Sequence, residues 1–259
     1  MNFNFELILF YAVVVTGLIY LLDVVFFAPR RKKQNKENMP IIIDYSRAFF
    51  PVLIIVFLLR SFLYEPFRIP SGSLEPTLLM GDFIAVNKFD YGVRLPVVHM
   101  KLFGDGEPQR GDIIVFRWPP NPSFNFIKRV IGVPGDHISY VNKELYVNGE
   151  KAPQTYIQTD NPKDESGETW RAIENQENLL GIKHDIYLDQ TNQARDFHDV
   201  IVPPGHFFVM GDNRDKSADS RYWGFVPDKN IVGKAVLVWM SWNGDKTRVR
   251  FNRIGTVIR

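Results

Sequence analysis

The chain has 259 residues, 31 Lys/Arg against 29 Asp/Glu, a formal net charge of +2, and no cysteine. Without cysteine there are no disulfides, thiolate zinc or iron–sulfur sites, and no thiol catalysis. The charge balance also argues against a basic nucleic-acid-binding face, and no nucleic-acid partner is expected.

The first 65 residues contain two apolar stretches. Leu7 to Leu22 is almost wholly apolar and, after Asp23, continues as Val-Val-Phe-Phe-Ala28, about the twenty residues needed to span a bilayer. A cleavable secretory leader fits poorly, because the residues before this stretch carry Glu6 and no positive charge. The second stretch runs from Ala48 to Leu59 and then through Arg60 to Tyr64. It spans if Arg60 snorkels to an interface, and Asp23 and Arg60 read as interface-level charges. Between the stretches, residues 29–47 hold Arg30-Arg-Lys-Lys33, Lys36 and Arg47. A short loop so rich in Lys/Arg stays cytoplasmic, which places everything after Glu65 on the outer side of the membrane. The predicted organisation is a two-span anchor over 1–65 and an outer domain over 66–259.

Pro70-Ser-Gly-Ser-Leu-Glu-Pro-Thr-Leu-Leu-Met-Gly-Asp82 follows the second span. Gly72 between two serines permits a sharp bend with N–H groups close to whatever Ser73 touches. That suits an exposed nucleophile, although a plain Ser/Pro/Gly loop would have the same composition.

Beyond residue 80, short apolar runs alternate with turn residues. Strands are predicted at 83–86, 113–118, 126–133, 138–141, 145–147, 207–210 and 232–239, with a further strand in 249–258. Asn142-Lys143 and Asn148-Gly149 read as tight hairpin turns. No sustained helical period occurs here, so the domain is predicted to be mainly β. Residues from about 150 to 200 are charged, lack a core signature, and read as an inserted extension.

A serine nucleophile needs a base and an oxyanion stabiliser. His99, His137, His184, His198 and His206 are available, but none lies in a motif that positions it. Lys128, in Asn125-Phe-Ile-Lys-Arg-Val-Ile-Gly132, is the other option. Its strand face carries Phe126 and Val130, surroundings that would lower a lysine's pKa and free the neutral amine. An edge-strand lysine reaching solvent fits that segment equally well. The third segment is Gly211-Asp-Asn-Arg-Asp-Lys-Ser-Ala-Asp-Ser-Arg-Tyr-Trp-Gly224. As a calcium loop it fails: Arg214 takes the third position and Ser217 the place of the glycine. It reads instead as a rigid polar network of Asp212, Arg214, Asp219 and Arg221, with Ser217 free to bond an amine.

Together, the blocks 70–82, 110–115, 126–136 and 211–227 and the two-span anchor resemble type I signal peptidases, in their Gram-negative form. These membrane-bound Ser/Lys endopeptidases release exported proteins from their leader peptides. The resemblance implies Ser73 as nucleophile and Lys128 as general base. It implies Ser71 and the Ser73 N–H as the oxyanion hole, Ser217 as the group orienting the amine, and Asp219 and Arg221 as a supporting ion pair. Arg129 and Asp212 fall on positions with structural roles. No metal or cofactor is expected. The expected partners are leader-bearing precursors, membrane lipid and the nearby secretion translocon, with the catalytic domain facing the periplasm from the inner membrane. The resemblance further implies small residues at the first and third positions before the cut, and shallow pockets lined by Ile84, Val86 or Val130 would exclude larger side chains. Phe67, Trp239 and Trp242 are expected at the lipid interface. The family usually has Met where this chain has Leu74, a substitution of similar volume. The rival readings are another Ser/Lys peptidase on a similar fold, such as a self-cleaving repressor, and a non-catalytic membrane-anchored binding protein.

Overall fold

A computed structural model describes residues 5–33, 39–95, 100–164, 166–193, 195–244 and 246–258. Two helical segments, Leu7–Arg31 and Ile41–Leu63, are long and apolar enough to cross a membrane. They pack against each other through Tyr20 and Phe50, whose ring centroids lie 5.8 Å apart, and through Phe10 and Phe57 at 6.1 Å. Gly17 leaves room for the Phe50 ring: a Cβ there would lie 2.7 Å from Phe50 Cε2. Two charges within the helices are paired, Asp23 with Arg31 at 2.6 Å and Arg60 with Glu65 at 2.9 Å.

The second helical segment passes directly into the strand Tyr64–Arg68, which forms one end of the main antiparallel sheet. Across the sheet follow Asp82–Asn87, Ile231–Asn243, Ile113–Arg117, Asn125–Gly132, His206–Met210 and Val226–Pro227. Pro66, which cannot donate to a ladder, sits in the end strand, where this does little harm. The expected strand over 249–258 is instead two short strands, Arg248–Val249 and Thr256–Val257, around a helical turn at Phe251–Arg253.

Both faces of the sheet are covered. Ile113 and Val115 point into one core with Ile69, Leu74, Leu78, Ile84, Val86 and Val238. Ile114 and Phe116 point into another with Val130, Phe207, Val209 and Ile231. Ile84, Val86 and Val130 are therefore fully buried core residues, and not the exposed walls of a shallow pocket. A third core lies around the hairpin His137–Val141 and Glu144–Val147. Its turn residues Asn142 and Lys143 both have positive φ, 49° and 66°, as a primed two-residue turn demands.

Within residues 150–200, Gln154–Asp160, Ala172–Leu179 and Ile182–Leu188 form a sheet of their own, while Phe197–Ile201 pairs with the hairpin strand His137–Val141. Leu179 and Leu180 pack into the hairpin's core, and polar ties lead from this sheet to the site described next.

Candidate active site

Strand Asn125–Gly132 lies between Ile113–Arg117 and His206–Met210, with Lys128 opposite Ile114 in the ladder. Lys128 is thus buried, 4% exposed, with Nζ 5.6 Å from the centre of the Phe126 ring. The amine reaches Ser73 Oγ at 2.6 Å and also bonds the carbonyl oxygen of Ile127 at 3.0 Å. Ser73 is 8% exposed. Ser71 Oγ lies 3.4 Å from Ser73 Oγ, on the open side of the same turn.

The serine turn is fastened at both ends. Leu74, next to Ser73, is buried in the core, so apolar volume at this position anchors the turn. At the other end, Asp82 accepts the Leu79 N–H at 2.9 Å, the Ser241 hydroxyl at 2.6 Å and the Arg253 guanidinium at 2.6 Å. Arg253 also donates to the Thr77 carbonyl oxygen at 2.9 Å, a role for the C-terminal turn that no sequence pattern signalled.

The segment 211–224 crosses behind the turn. Arg129, beside Lys128, donates to Asp212 from Nε at 2.9 Å and from Nη2 at 2.8 Å, and from Nη1 to the Gly111 carbonyl at 2.8 Å. Thr77 completes this junction by donating its hydroxyl to Asp212 Oδ2 at 2.6 Å. Burial alone would raise the Asp212 carboxyl, but the Arg129 guanidinium outweighs it and holds the group below the usual carboxylate range. Asp219 follows the same logic: burial raises it, and Arg221, donating from Nε and Nη2 at 2.8 Å each, outweighs burial. Asp219 Oδ2 also accepts the Gly211 N–H at 3.0 Å.

Ser217 Oγ is buried beside Gly211 and the Ser73 carbonyl, where a Cβ on residue 211 would collide with both. Its hydroxyl makes no hydrogen bond of normal geometry among the described residues. It stands next to the nucleophile, but no bond from it to the Lys128 amine is seen. Arg214, expected in a network with Asp212 and Asp219, instead pairs with Glu177 of the 150–200 sheet, donating from Nη1 at 2.8 Å and again from Nη2. Burial would raise Glu177, yet Arg214 brings it down to about 2. The Tyr187 N–H bonds the Asp212 carbonyl oxygen at 2.9 Å, and Asp215 accepts from Lys143 Nζ at 2.8 Å and from the Asp189 N–H at 2.7 Å. The extension is therefore a polar buttress for the 211–224 loop.

Of the five histidines, His99 lies outside the described residues. His137 pairs with Asp199 on the surface, His184 is buried against Glu177, His198 is exposed and His206 faces the Pro204 carbonyl. None of these four bonds Ser73. Among the described residues no group of three or more His, Asp or Glu is placed to hold a metal ion. Of the three aromatics expected at lipid, Trp239 is 43% exposed, whereas Phe67 and Trp242 are half-buried.

Glu75 was missed by sequence reasoning. Its carboxyl sits over Gly72, 3.2 Å from where a Cβ would be, and burial pushes it up to about 7.

The chain matches known proteins over most of its length. The family model described as signal peptidase, peptidase S26, matches residues 42–242. Signal peptidase I of Pseudomonas fluorescens is 46% identical over 99% of this chain and 100% of its own length. That of Pseudomonas aeruginosa is 45% identical with the same coverage. The Haemophilus influenzae enzyme is 35% identical over 83% of this chain and 76% of its own. A buried lysine against a serine, on a β domain joined to two apolar helices, thus occurs in a chain that belongs to the signal peptidase family, peptidase S26.

Proposed function

We propose that the chain is a membrane-anchored serine endopeptidase that cuts leader peptides from exported precursors, with Ser73 as nucleophile and Lys128 as general base. The observation that carries this reading is the 2.6 Å contact between Lys128 Nζ and Ser73 Oγ in a site nearly closed to water. Desolvation disfavours the ammonium, so the buried amine is suited to accept a proton. The neutral amine takes the Ser73 hydroxyl proton as Oγ bonds to the carbonyl carbon of the residue before the cut. The oxygen of that carbonyl becomes an oxyanion, held by the Ser73 N–H and the Ser71 hydroxyl, each donor contributing roughly 3–4 kcal/mol. As the C–N bond breaks, the Lys128 ammonium returns its proton to the leaving amine. The leader remains esterified to Ser73. A water deprotonated by Lys128 then attacks the ester, releasing the leader carboxylate and restoring the hydroxyl.

Residues 1–65 serve as the anchor and 66–259 as the catalytic domain. The Lys/Arg-rich loop 29–47 supports a cytoplasmic placement of that loop and a periplasmic placement of the site, in the inner membrane near the translocon. Lipid contact falls to Trp239 and to Phe251 and Val257 of the 248–257 segment, which are 78% and 62% exposed. A non-catalytic scaffold is disfavoured, because a dead site has no need to bury a lysine against a serine. The two apolar helices disfavour a self-cleaving cytoplasmic peptidase. Cleavage of a leader-bearing precursor by the detergent-solubilised chain tests the reading. Ser73→Ala and Lys128→Met should each abolish it, and activity retained in either removes the mechanism.

A further inference from the structure

Asn213 approaches the serine turn with two donors. Its side-chain Nδ2 bonds the Gly72 carbonyl oxygen at 3.1 Å, and its backbone N–H bonds the Ser73 carbonyl oxygen at 3.2 Å. Asn213 itself is 2% exposed. It is held in place by its neighbour Asp212, which is locked to Arg129 and Thr77, and by the buttressing sheet through the Tyr187–Asn213 bridge. Two consecutive carbonyls of the nucleophile's turn thus bond one residue of the 211–224 loop, the Gly72 carbonyl also accepting the Glu75 N–H at 3.1 Å within the turn.

A peptide group is planar, and in its trans form the N–H points opposite to the C=O. Drawing the Gly72 carbonyl toward Asn213 turns the N–H of Ser73, which belongs to the same peptide group, toward the other side. Among the described residues that N–H donates to no protein acceptor, although Ser73 is buried. A buried N–H held without a partner is costly unless something comes to meet it.

We infer that Asn213 is a positioning residue for the oxyanion hole: by fixing the carbonyls of Gly72 and Ser73 it aims the Ser73 N–H at the oxygen of the tetrahedral intermediate. The inference rests on the acylation of Ser73 proposed above. Asn213 touches neither substrate nor the reacting atoms. It acts through the orientation of one peptide plane, and so matters to the transition state and little to substrate binding.

The test uses the full chain in detergent with a leader-bearing precursor and, separately, a peptide boronic acid ending in Ala-x-Ala. Its tetrahedral adduct with Ser73 would place an oxygen where the oxyanion forms. Losing a whole oxyanion donor costs about 100- to 1,000-fold in kcat. Asn213→Ala keeps the backbone N–H bond and removes only the side-chain one. Its kcat should fall about ten- to a hundredfold with KM changed less than about threefold, and boronate affinity should fall by a similar factor. Asn213→Asp fills the same volume but sets an acceptor against the Gly72 carbonyl. It should lose at least as much as Asn213→Ala, and it separates donation from packing if the alanine variant melts early. Asn213→Gln, which restores an amide donor, should recover part of the loss.

The inference is overturned by an Asn213→Asp enzyme with wild-type kcat, by unchanged boronate binding in both variants, or by a loss confined to KM. None of these outcomes touches the Ser73 and Lys128 assignment, which stands or falls separately on whether Ser73→Ala is inactive.

Discussion

Removing the Asp212 carboxylate with Asp212→Ala leaves the Arg129 guanidinium, whose side chain is 0% exposed, without its counter-charge. Arg129 keeps the Gly111 carbonyl as an acceptor but loses both charge-assisted bonds to Asp212, and Thr77 loses its acceptor. Breaking a fully buried pair from one side costs about 3–5 kcal/mol, since the remaining charge stays desolvated without the carboxylate that balanced it. For a chain of this size that corresponds to a fall in melting temperature of roughly 6–20 °C. The assay is thermal or urea unfolding of the full chain in detergent, followed by tryptophan fluorescence. Arg129→Met combined with Asp212→Leu removes both charges and should lose much less than the two single changes together, because no uncompensated ion remains. A single-variant loss below about 1 kcal/mol, or a double variant that costs the full sum, would refute the reasoning that this pair is the joint between the lysine strand and the 211–224 loop.

Activity should collapse on acidification as Lys128 becomes protonated, while the fold persists. The paired carboxylates of Asp212 and Asp219 are held below the usual range, so their stabilisation is present above the unfolded carboxylate pKa and is lost only as pH falls through the lowered folded values. Circular dichroism at about pH 5 should therefore show a folded, inactive enzyme, and a flat activity profile down to that pH would contradict a lysine base. Glu75 has the opposite sign. Its folded value of about 7 lies above the ordinary carboxyl value of 4.5, so burial costs nothing at pH 4 and up to about 3 kcal/mol above pH 8. Glu75→Gln should raise the melting temperature at pH 8 and leave it unchanged at pH 4; equal shifts at both would count against a buried carboxyl. Gly211→Ala should lower both stability and kcat, because its Cβ would press on the Ser73 carbonyl and the Ser217 hydroxyl; wild-type kinetics would show the turn to be less tightly held. Trp239→Ser with Phe251→Ser should weaken liposome binding of a chain beginning near Tyr64, and unchanged binding would remove the lipid patch.

Much of this was legible because the main sheet obeys simple rules. The run Ile113–Phe116 is apolar on both faces, as a strand covered on both sides must be, and Asn-Lys and Asn-Gly mark the hairpin turns. Ser73 and Lys128 could be selected by chemical type, and the structure brings them together across 55 positions of sequence. The 150–200 sheet was opaque for a physical reason. In Ala172–Leu179 the fully buried positions include Glu174 and Glu177 beside Ala172 and Leu179, so the inward face reads as polar. Glu177 is buried because Arg214 meets it, a pairing between distant segments that periodicity cannot register. The same holds for Arg253 on Asp82 and for Thr77 on Asp212, contacts between distant segments that a local pattern does not record. In sequence alone Ile84, Val86 and Val130 read as pocket walls, since an apolar residue near a nucleophile looks the same whether it lines a cleft or fills a core.

One experiment bears most directly on the amine–hydroxyl pair. Wild type and Lys128→Met are mixed with a leader-bearing precursor, quenched in acid within the first turnover, digested and mapped by mass spectrometry. The leader's C-terminal residue should appear as an ester on Ser73 in the wild type and be absent from Lys128→Met. An ester on any other residue, or equal esterification in the methionine variant, would contradict the pairing of Ser73 with Lys128.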